Sequence, residues 1–303
     1  MSVRTTTPAA TAPHGSPSER LLKLTSRGVV HLILLAFGVA WIVPSLGLLA
    51  TSFRSRADIA ASGWWTTMNH LGALTINNYR TVLRSGDLPP PGFAENFINS
   101  FIITIPSTLL PIAIAALAAY AFVWMKFPFR NVLYLLVIAL LIVPLQTTWV
   151  PVLKIFNSLQ LTGTWLGIWL AHTAYGTPFA IFLLRNFFAE LPGDIFESAR
   201  VDGASDFAIF LRIVLPLSLP ALASLAIFQF VWVWNDLMNA LIYLQDAKKY
   251  PLTIGIQNLL GQYGNEWHLL AAGAFITMSV PLIIFFALQR YFVRGVTAGA
   301  VKG

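Results

Sequence analysis

Six apolar runs, each long enough to cross a bilayer as a helix, dominate this 303-residue chain. A membrane-spanning helix needs ~20 mostly apolar residues to cover the ~30 Å of hydrocarbon. The runs lie near 29–51, 97–122, 131–152, 164–184, 218–243 and 268–290. Composition agrees with a lipid solvent. Hydrophobic residues make up 57% of the chain and charged residues only 10%, against about a quarter charged in soluble domains. So little polar surface cannot cover the chain in water. Prolines at 44, 106, 111, 144, 178 and 281 fall inside the runs. Membrane helices tolerate them because neighbours re-satisfy the freed carbonyls, and they predict kinks.

The chain before the first run is polar and ends in a basic cluster, Arg20, Lys23 and Arg27. That stretch and the apolar run after it are both too long for a cleaved secretory signal, so 29–51 reads as an uncleaved first span. Orientation follows from the cations. With the N-terminus inside, twelve Lys and Arg side chains fall on the inner side and seven on the outer, which favours both termini in the cytoplasm. The net charge of +7 is thereby assigned to inner loops and not to a nucleic-acid surface. The expected architecture is all-α and integral to the membrane. A flexible tail spans 1–28, the first transmembrane helix 29–51, and a periplasmic or extracellular segment 52–95. A five-helix core spans 96–292, with a loop at 185–217, and a cytoplasmic tail covers 293–303. The segment 52–95 reads equally as a structured cap and as a contact for an external partner.

The loop at 191–220 carries the most specific signal. Pro192 suits a first helical turn, and Asp194 suits the positive end of the helix dipole. Gly203 suits a left-handed C-terminal cap, and Ser205 can cap a second helix that starts at Asp206 and ends at Leu215-Pro216. The product is a two-helix knob at the membrane surface. Ile195, Phe196 and Ala199 supply an apolar face, and Glu197, Arg200 and Asp202 a charged one. Such a knob is built to dock into another protein.

Glu197-Ser198-Ala199-Arg200-Val201-Asp202-Gly203-Ala204, followed by Ile213-Val214-Leu215-Pro216, resembles the EAA signature of binding-protein-dependent ABC importer permeases. The matching positions are Glu197, Ala199, Asp202, Gly203, Ala204, Ile213, Leu215 and Pro216; Ser198 stands where that family usually has alanine. The tail beginning at Gly295 and the Trp234-Asn235-Asp236 triplet resemble the carbohydrate branch, in particular the G-type subunit of maltose and α-glucoside permeases. The resemblance implies a type I importer permease whose 192–215 hairpin couples to a cytoplasmic ATPase. It implies as partners a second permease in a heterodimer, two ATPase subunits and an extracytoplasmic sugar-binding protein, besides the sugar and the bilayer. ATP and Mg would be bound by the ATPase. No cofactor is expected on this chain, and none of its six lysines follows a glycine, so it carries no P-loop. It is expected not to be an enzyme.

Polar groups inside a bilayer are costly and are functional candidates by default. Gln229, Trp232, Asn235, Asp236 and Asn239 in the fifth run, and Gln146 in the third, are candidates to line a substrate pathway. Amides and carboxylates bond sugar hydroxyls, and tryptophan faces stack on pyranose rings. The other reading gives them to a sister subunit, a kink or the lipid interface. Thr147 and Thr148 are weaker candidates, and His172 is expected to hydrogen-bond between helices. The scattered histidines and absent cysteines suggest no metal site. A competing function is a proton-coupled secondary transporter that relays protons through Asp236, which would leave the 191–220 loop without a purpose. An integral-membrane enzyme lacks a catalytic constellation in the runs.

Overall fold

A computed structural model of the chain describes residues 17–69, 71–84, 92–262 and 266–298. Among these the regular structure is entirely helical. The helices are α1 (Pro17–Ser52), α2 (Arg56–Ala61), α3 (Asn77–Leu83), α4 (Phe93–Trp124), α5 (Arg130–Leu140), α6 (Leu145–Ser158), α7 (Trp165–Ala189), α8 (Gly193–Val201), α9 (Asp206–Ile209), α10 (Leu215–Leu217), α11 (Leu219–Trp234), α12 (Met238–Tyr243), α13 (Leu252–Gln262) and α14 (Trp267–Ala298). Of the described residues, those up to Ala50 form one compact unit and those from Thr51 another. In the first unit α1 begins at Pro17, inside the stretch expected to be a flexible tail. Proline is favoured in a first turn, and the leucines that follow are strong helix formers. Side chains from Val29 to Leu46 are apolar and exposed over most of its length, as a helix facing hydrocarbon requires. The first sixteen residues, the triple-proline run at 89–91 and the last five residues lie outside the described segments.

Among the described residues, four helices are long and apolar enough to cross a membrane: Gly28–Ser52, Phe93–Trp124, Trp165–Ala189 and Trp267–Arg290. Two bent pairs bring the count to six if each pair is one span. This corrects two expected continuous spans. The third is broken between α5 and α6 by a bend of 103°. Pro144 cannot donate to the Leu140 carbonyl and forces Val143 out of the helical region. Leu140–Val143 closes instead with short-range bonds, such as Val143 N to Leu140 O at 3.3 Å. The fifth expected span, 218–243, stops at Trp234. Asn235 turns its amide back onto the Val231 carbonyl at 2.8 Å. Asp236 accepts from the backbone N–H groups of Asn239 and Ala240, capping α12. The knob's second helix ends at Leu217, one residue past the expected Leu215-Pro216. It passes through a π turn at Phe210–Val214 into α10, then bends by 75° into α11. The wide turn accommodates the ring of Pro216, and the corner falls at Ser218, whose backbone leaves the helix at φ −93° and ψ 4°.

The core of the second unit is built on α4 and α7. Ala115, Ala116 and Ala119 of α4 meet Ala180, Ile181 and Leu184 of α7. Small residues let membrane helices approach closely, so dispersion can act. Three of the prolines then direct specific bonds. A proline leaves the carbonyl four residues before it without its helical donor. Pro106 frees Ile102, and the Trp169 indole N–H of α7 donates to that oxygen at 2.9 Å. Pro111 frees Ser107, which accepts from Gln229 Nε2 of α11 at 3.2 Å. Pro281 frees Thr277, which accepts from the Trp234 indole N–H at 3.1 Å. Each freed carbonyl is thus tied to a neighbouring helix by a side chain.

At the end of the unit away from α8, residues 52–69 and 71–83 fold into a cap. Asn78 donates to the carbonyls of Ser52 and Arg54, at 2.8 and 2.9 Å. Arg56 pairs with Glu266 at the start of α14 at 2.5 Å. The short helix α13, too short to be read as a span, buries Leu252, Ile254 and Leu259.

The proline bonds yield an epistasis test. Trp234→Phe keeps the aromatic packing but orphans the Thr277 carbonyl, a loss of about 1–3 kcal/mol. Pro281→Ala restores the helix's own donor to Thr277. In that background Trp234→Phe should cost about 1 kcal/mol less in a denaturant titration of the detergent-solubilised protein. Equal costs in the two backgrounds would contradict the pairing.

Candidate functional site

Two places gather the residues singled out by sequence: the α8–α9 hairpin, and a cavity between α7 and α11.

The hairpin is closed by backbone geometry. Gly203 adopts φ 82°. Ala204 N–H bonds to the Ala199 carbonyl at 3.0 Å, and Gly203 N–H to the Arg200 carbonyl at 3.0 Å. This is a Schellman closure, with the apolar contact of Ala199 and Ala204 that accompanies it. Ser205 then caps α9 by accepting from Ala208 N–H at 3.3 Å. The inner face is anchored. Phe196, 1% exposed, packs 4.2 Å from the Trp124 ring, and Ile209, Phe210 and Val214 enter the same core as α4 and α7. Arg200 stands exposed, as a charged-face residue should, and also reaches inward. Its guanidinium reaches Asp206 at 3.1 Å, and Tyr120 of α4 donates to the same carboxylate at 3.1 Å. The Asp206 carboxylate pushes the guanidinium of Arg200 further above its usual range.

The outer face remains open. Glu197, Asp202 and Gly203 are exposed, and Val201 and Phe207 present 87% and 64% of their surface. Ala199, Ala204, Ile213 and Leu215 are half-buried and hold the knob to the core, while Pro216 lies exposed in α10. Val201 and Phe207 thus stand exposed on the same side as the acids Glu197 and Asp202, the mixture of apolar and charged groups found where proteins dock.

The cavity, of about 280 Å³, is lined by Tyr175, Gly176 and Phe179 of α7 and Phe228, Gln229 and Trp232 of α11. Gln229 and Trp232 therefore come together as grouped by sequence. Gln229 lies so close to α7 that a methyl on Gly176 would sit 2.6 Å from its amide nitrogen. Asp236 and Asn239 form an adjoining network. Asn239 Nδ2 donates to Asp236 at 3.1 Å and its oxygen accepts from Trp149 at 3.1 Å. Asn235 is not in the cavity, because its side chain serves its own helix. Gln146 is exposed and stands apart; its neighbour Thr148 reaches Tyr175 at 3.1 Å. His172, expected to bond between helices, has neither ring nitrogen hydrogen-bonded. Its Nε2 is 3.7 Å from Asp236, and its ring meets the edge of Trp232. Sequence reasoning missed Tyr175, Phe179 and Phe228. Their spacing was the available signal, since 175/179 and 228/232 are aromatic pairs one helical turn apart. Among the described residues no group of acids and histidines could hold a metal ion.

The family profile of binding-protein-dependent transport system inner membrane components matches residues 96–298. The osmoprotective compounds uptake permease protein GgtD of Synechocystis sp. is 53% identical over 277 residues, covering 90% of this chain and 91% of that protein. The alpha-glucoside transport system permease protein AglG of Rhizobium meliloti is 54% identical over 235 residues, covering 76% of this chain and 60% of that protein. Among solved structures, a chain of a bacterial ABC transporter that imports the acidic polysaccharide alginate superposes with a TM-score of 0.70. It covers 93% of this chain and all of its own length at 23% identity, a likeness of fold.

The positive φ of Gly203 fixes how the hairpin responds to substitution. Gly203→Val should strain the turn by about 1–3 kcal/mol, whereas Gly203→Asn, which tolerates the left-handed region, should cost far less. Amide hydrogen exchange at Gly203 and Ala204 reads the difference: fast in the valine variant and near native in the asparagine one.

Proposed function

The chain belongs to the family of inner-membrane components of binding-protein-dependent transport systems, and on that premise we propose that it forms half the pore of an ABC sugar importer and takes its drive through the α8–α9 hairpin. The observation that carries the coupling role is the contrast between the hairpin's faces. One is welded to α4 and α7 through Phe196, Ile209 and Phe210, and the other offers Val201, Phe207, Glu197 and Asp202 to a partner. A partner that grips the outer face moves the helices through the inner one. Rigid-body motion of packed helices about a site is a recognised mode of switching.

In this reading the partner is a pair of ATPase subunits that bind ATP and Mg. A second permease completes the pore as a heterodimer, and an extracytoplasmic binding protein delivers the cargo. The hairpin and both termini then face the cytoplasm. The cargo is a neutral oligosaccharide or α-glucoside of the maltose or trehalose kind. Two things support this: the name of the relative AglG, and a cavity that offers aromatic faces and one amide with no lysine or arginine in its lining. Stacking aromatics and an amide suit an uncharged pyranose.

The proton-coupled alternative finds no support. Asp236 is engaged as a helix cap, its two oxygens taking the N–H groups of Asn239 and Ala240. That gives the buried acid a structural reason to exist.

Uptake of labelled maltose or trehalose into vesicles carrying the full importer should require ATP and survive collapse of the proton gradient. Uptake that tracks the gradient and ignores ATP would refute the reading. Glu197→Lys should abolish uptake at unchanged expression, because it reverses charge on the outer face. Trp232→Ala should raise the KM about fivefold, the worth of one aromatic stacking contact.

A further inference from the structure

We infer that the hollow at the α4–α5 turn binds the headgroup of an anionic phospholipid. The hollow, about 450 Å³, is lined by Lys126, Phe127, Phe129, Arg130, Asn131 and Val132, with no acid among them. Outside that lining, Arg185 of α7 is held against the next turn of α5. It lies 4.8 Å over the ring of Tyr134, which stands one turn after Arg130 on the same flank of α5. None of Lys126, Arg130 and Arg185 is in an ion pair among the described residues, whereas Arg56, Arg200 and Lys249 each meet a carboxylate. Arg130 is steadied by one bond from Nη1 to the Met125 carbonyl at 3.2 Å, which leaves its other donors for a ligand.

Depth and shape select the ligand. α4 ends at Trp124 and α5 begins at Arg130, so the hollow lies where the apolar spans stop. Tryptophan and cations mark that level in membrane proteins, and basic hollows there recruit anionic headgroups. From the hollow, the exposed Val132, Leu135, Leu136 and Leu140 continue as an apolar strip along α5. Phe129, 76% exposed, stands at the junction. A cationic hollow that runs into an apolar strip matches a molecule with an anionic head and acyl chains. Free phosphate would use only the first part, and an acidic protein segment has no use for the second. The inference is independent of the cargo.

The test uses the purified full-length chain in nanodiscs of mixed phosphatidylcholine and phosphatidylglycerol. Lipid retained after mild detergent extraction is counted by native mass spectrometry. Wild type should retain phosphatidylglycerol in preference, and Lys126→Gln and Arg130→Gln should each lower that preference about fivefold, the worth of one cation at an anionic surface. Lys126→Arg and Arg130→Lys should restore it, and Arg212→Gln, on the hairpin, should leave it unchanged. Added inorganic phosphate should not displace the lipid. Equal retention in the glutamine variants would overturn the proposal, as would displacement by phosphate. Loss of the retained lipid when the complete importer assembles would assign the hollow to a protein partner instead.

Discussion

Hydrocarbon offers no hydrogen bonds, so each backbone carbonyl that a helix fails to satisfy must find a donor within the protein. The architecture of the second unit follows from how this chain meets that demand. Its prolines at 106, 111 and 281 open a carbonyl in α4 or α14, and an indole or amide from a neighbouring helix closes it. The donors come from α7 and α11. Four helices are therefore joined at fixed heights, whereas the alanine contacts between α4 and α7 permit close approach without specifying register. Polar bonds select the arrangement and apolar packing fills it in.

This assigns a second meaning to residues that look like pathway groups. Gln229 and Trp234 are costly in a bilayer, and a functional reading is the natural default. Part of their justification is structural. Gln229 nevertheless also lines the cavity beside Trp232, so one side chain serves both the tie to Ser107 and the cavity wall. Asp236 shows the same economy. It starts α12 and also stands beside the unbonded ring of His172.

Much of this was legible in the sequence. The apolar runs located the long helices, and the Gly203 turn with its Ser205 cap was readable because left-handed caps and side-chain caps have strict local chemistry. The breaks were not. A proline announces a disturbance but not whether a neighbour will bridge it, as at Pro106, or the chain will turn, as at Pro144. That depends on a partner distant in sequence. The cavity was half legible: Gln229 and Trp232 stood out as polar or amphipathic in an apolar run, while Tyr175, Phe179 and Phe228 resembled ordinary core. Arg200 was legible as an exposed charge, but only the fold places Asp206 and Tyr120 within its reach.

The hairpin is attached to the rest of the unit in two mechanically different ways. Through Phe196 and Arg200 it is seated directly on the end of α4, by a short path of packed rings and charged bonds. Along the chain it continues through the π turn and the bend at Ser218 into α11, a path with a widened turn and a sharp corner. Two supports in parallel share a load in proportion to stiffness. A push on the outer face would therefore pass into α4 and α7 through the packed rings and the alanine seam, and into α11 through the chain and through Ala221 and Leu225, which share the same core. Because Trp169 and Gln229 tie α7 and α11 to the same helix α4, the two walls of the cavity would follow the hairpin as one packed body.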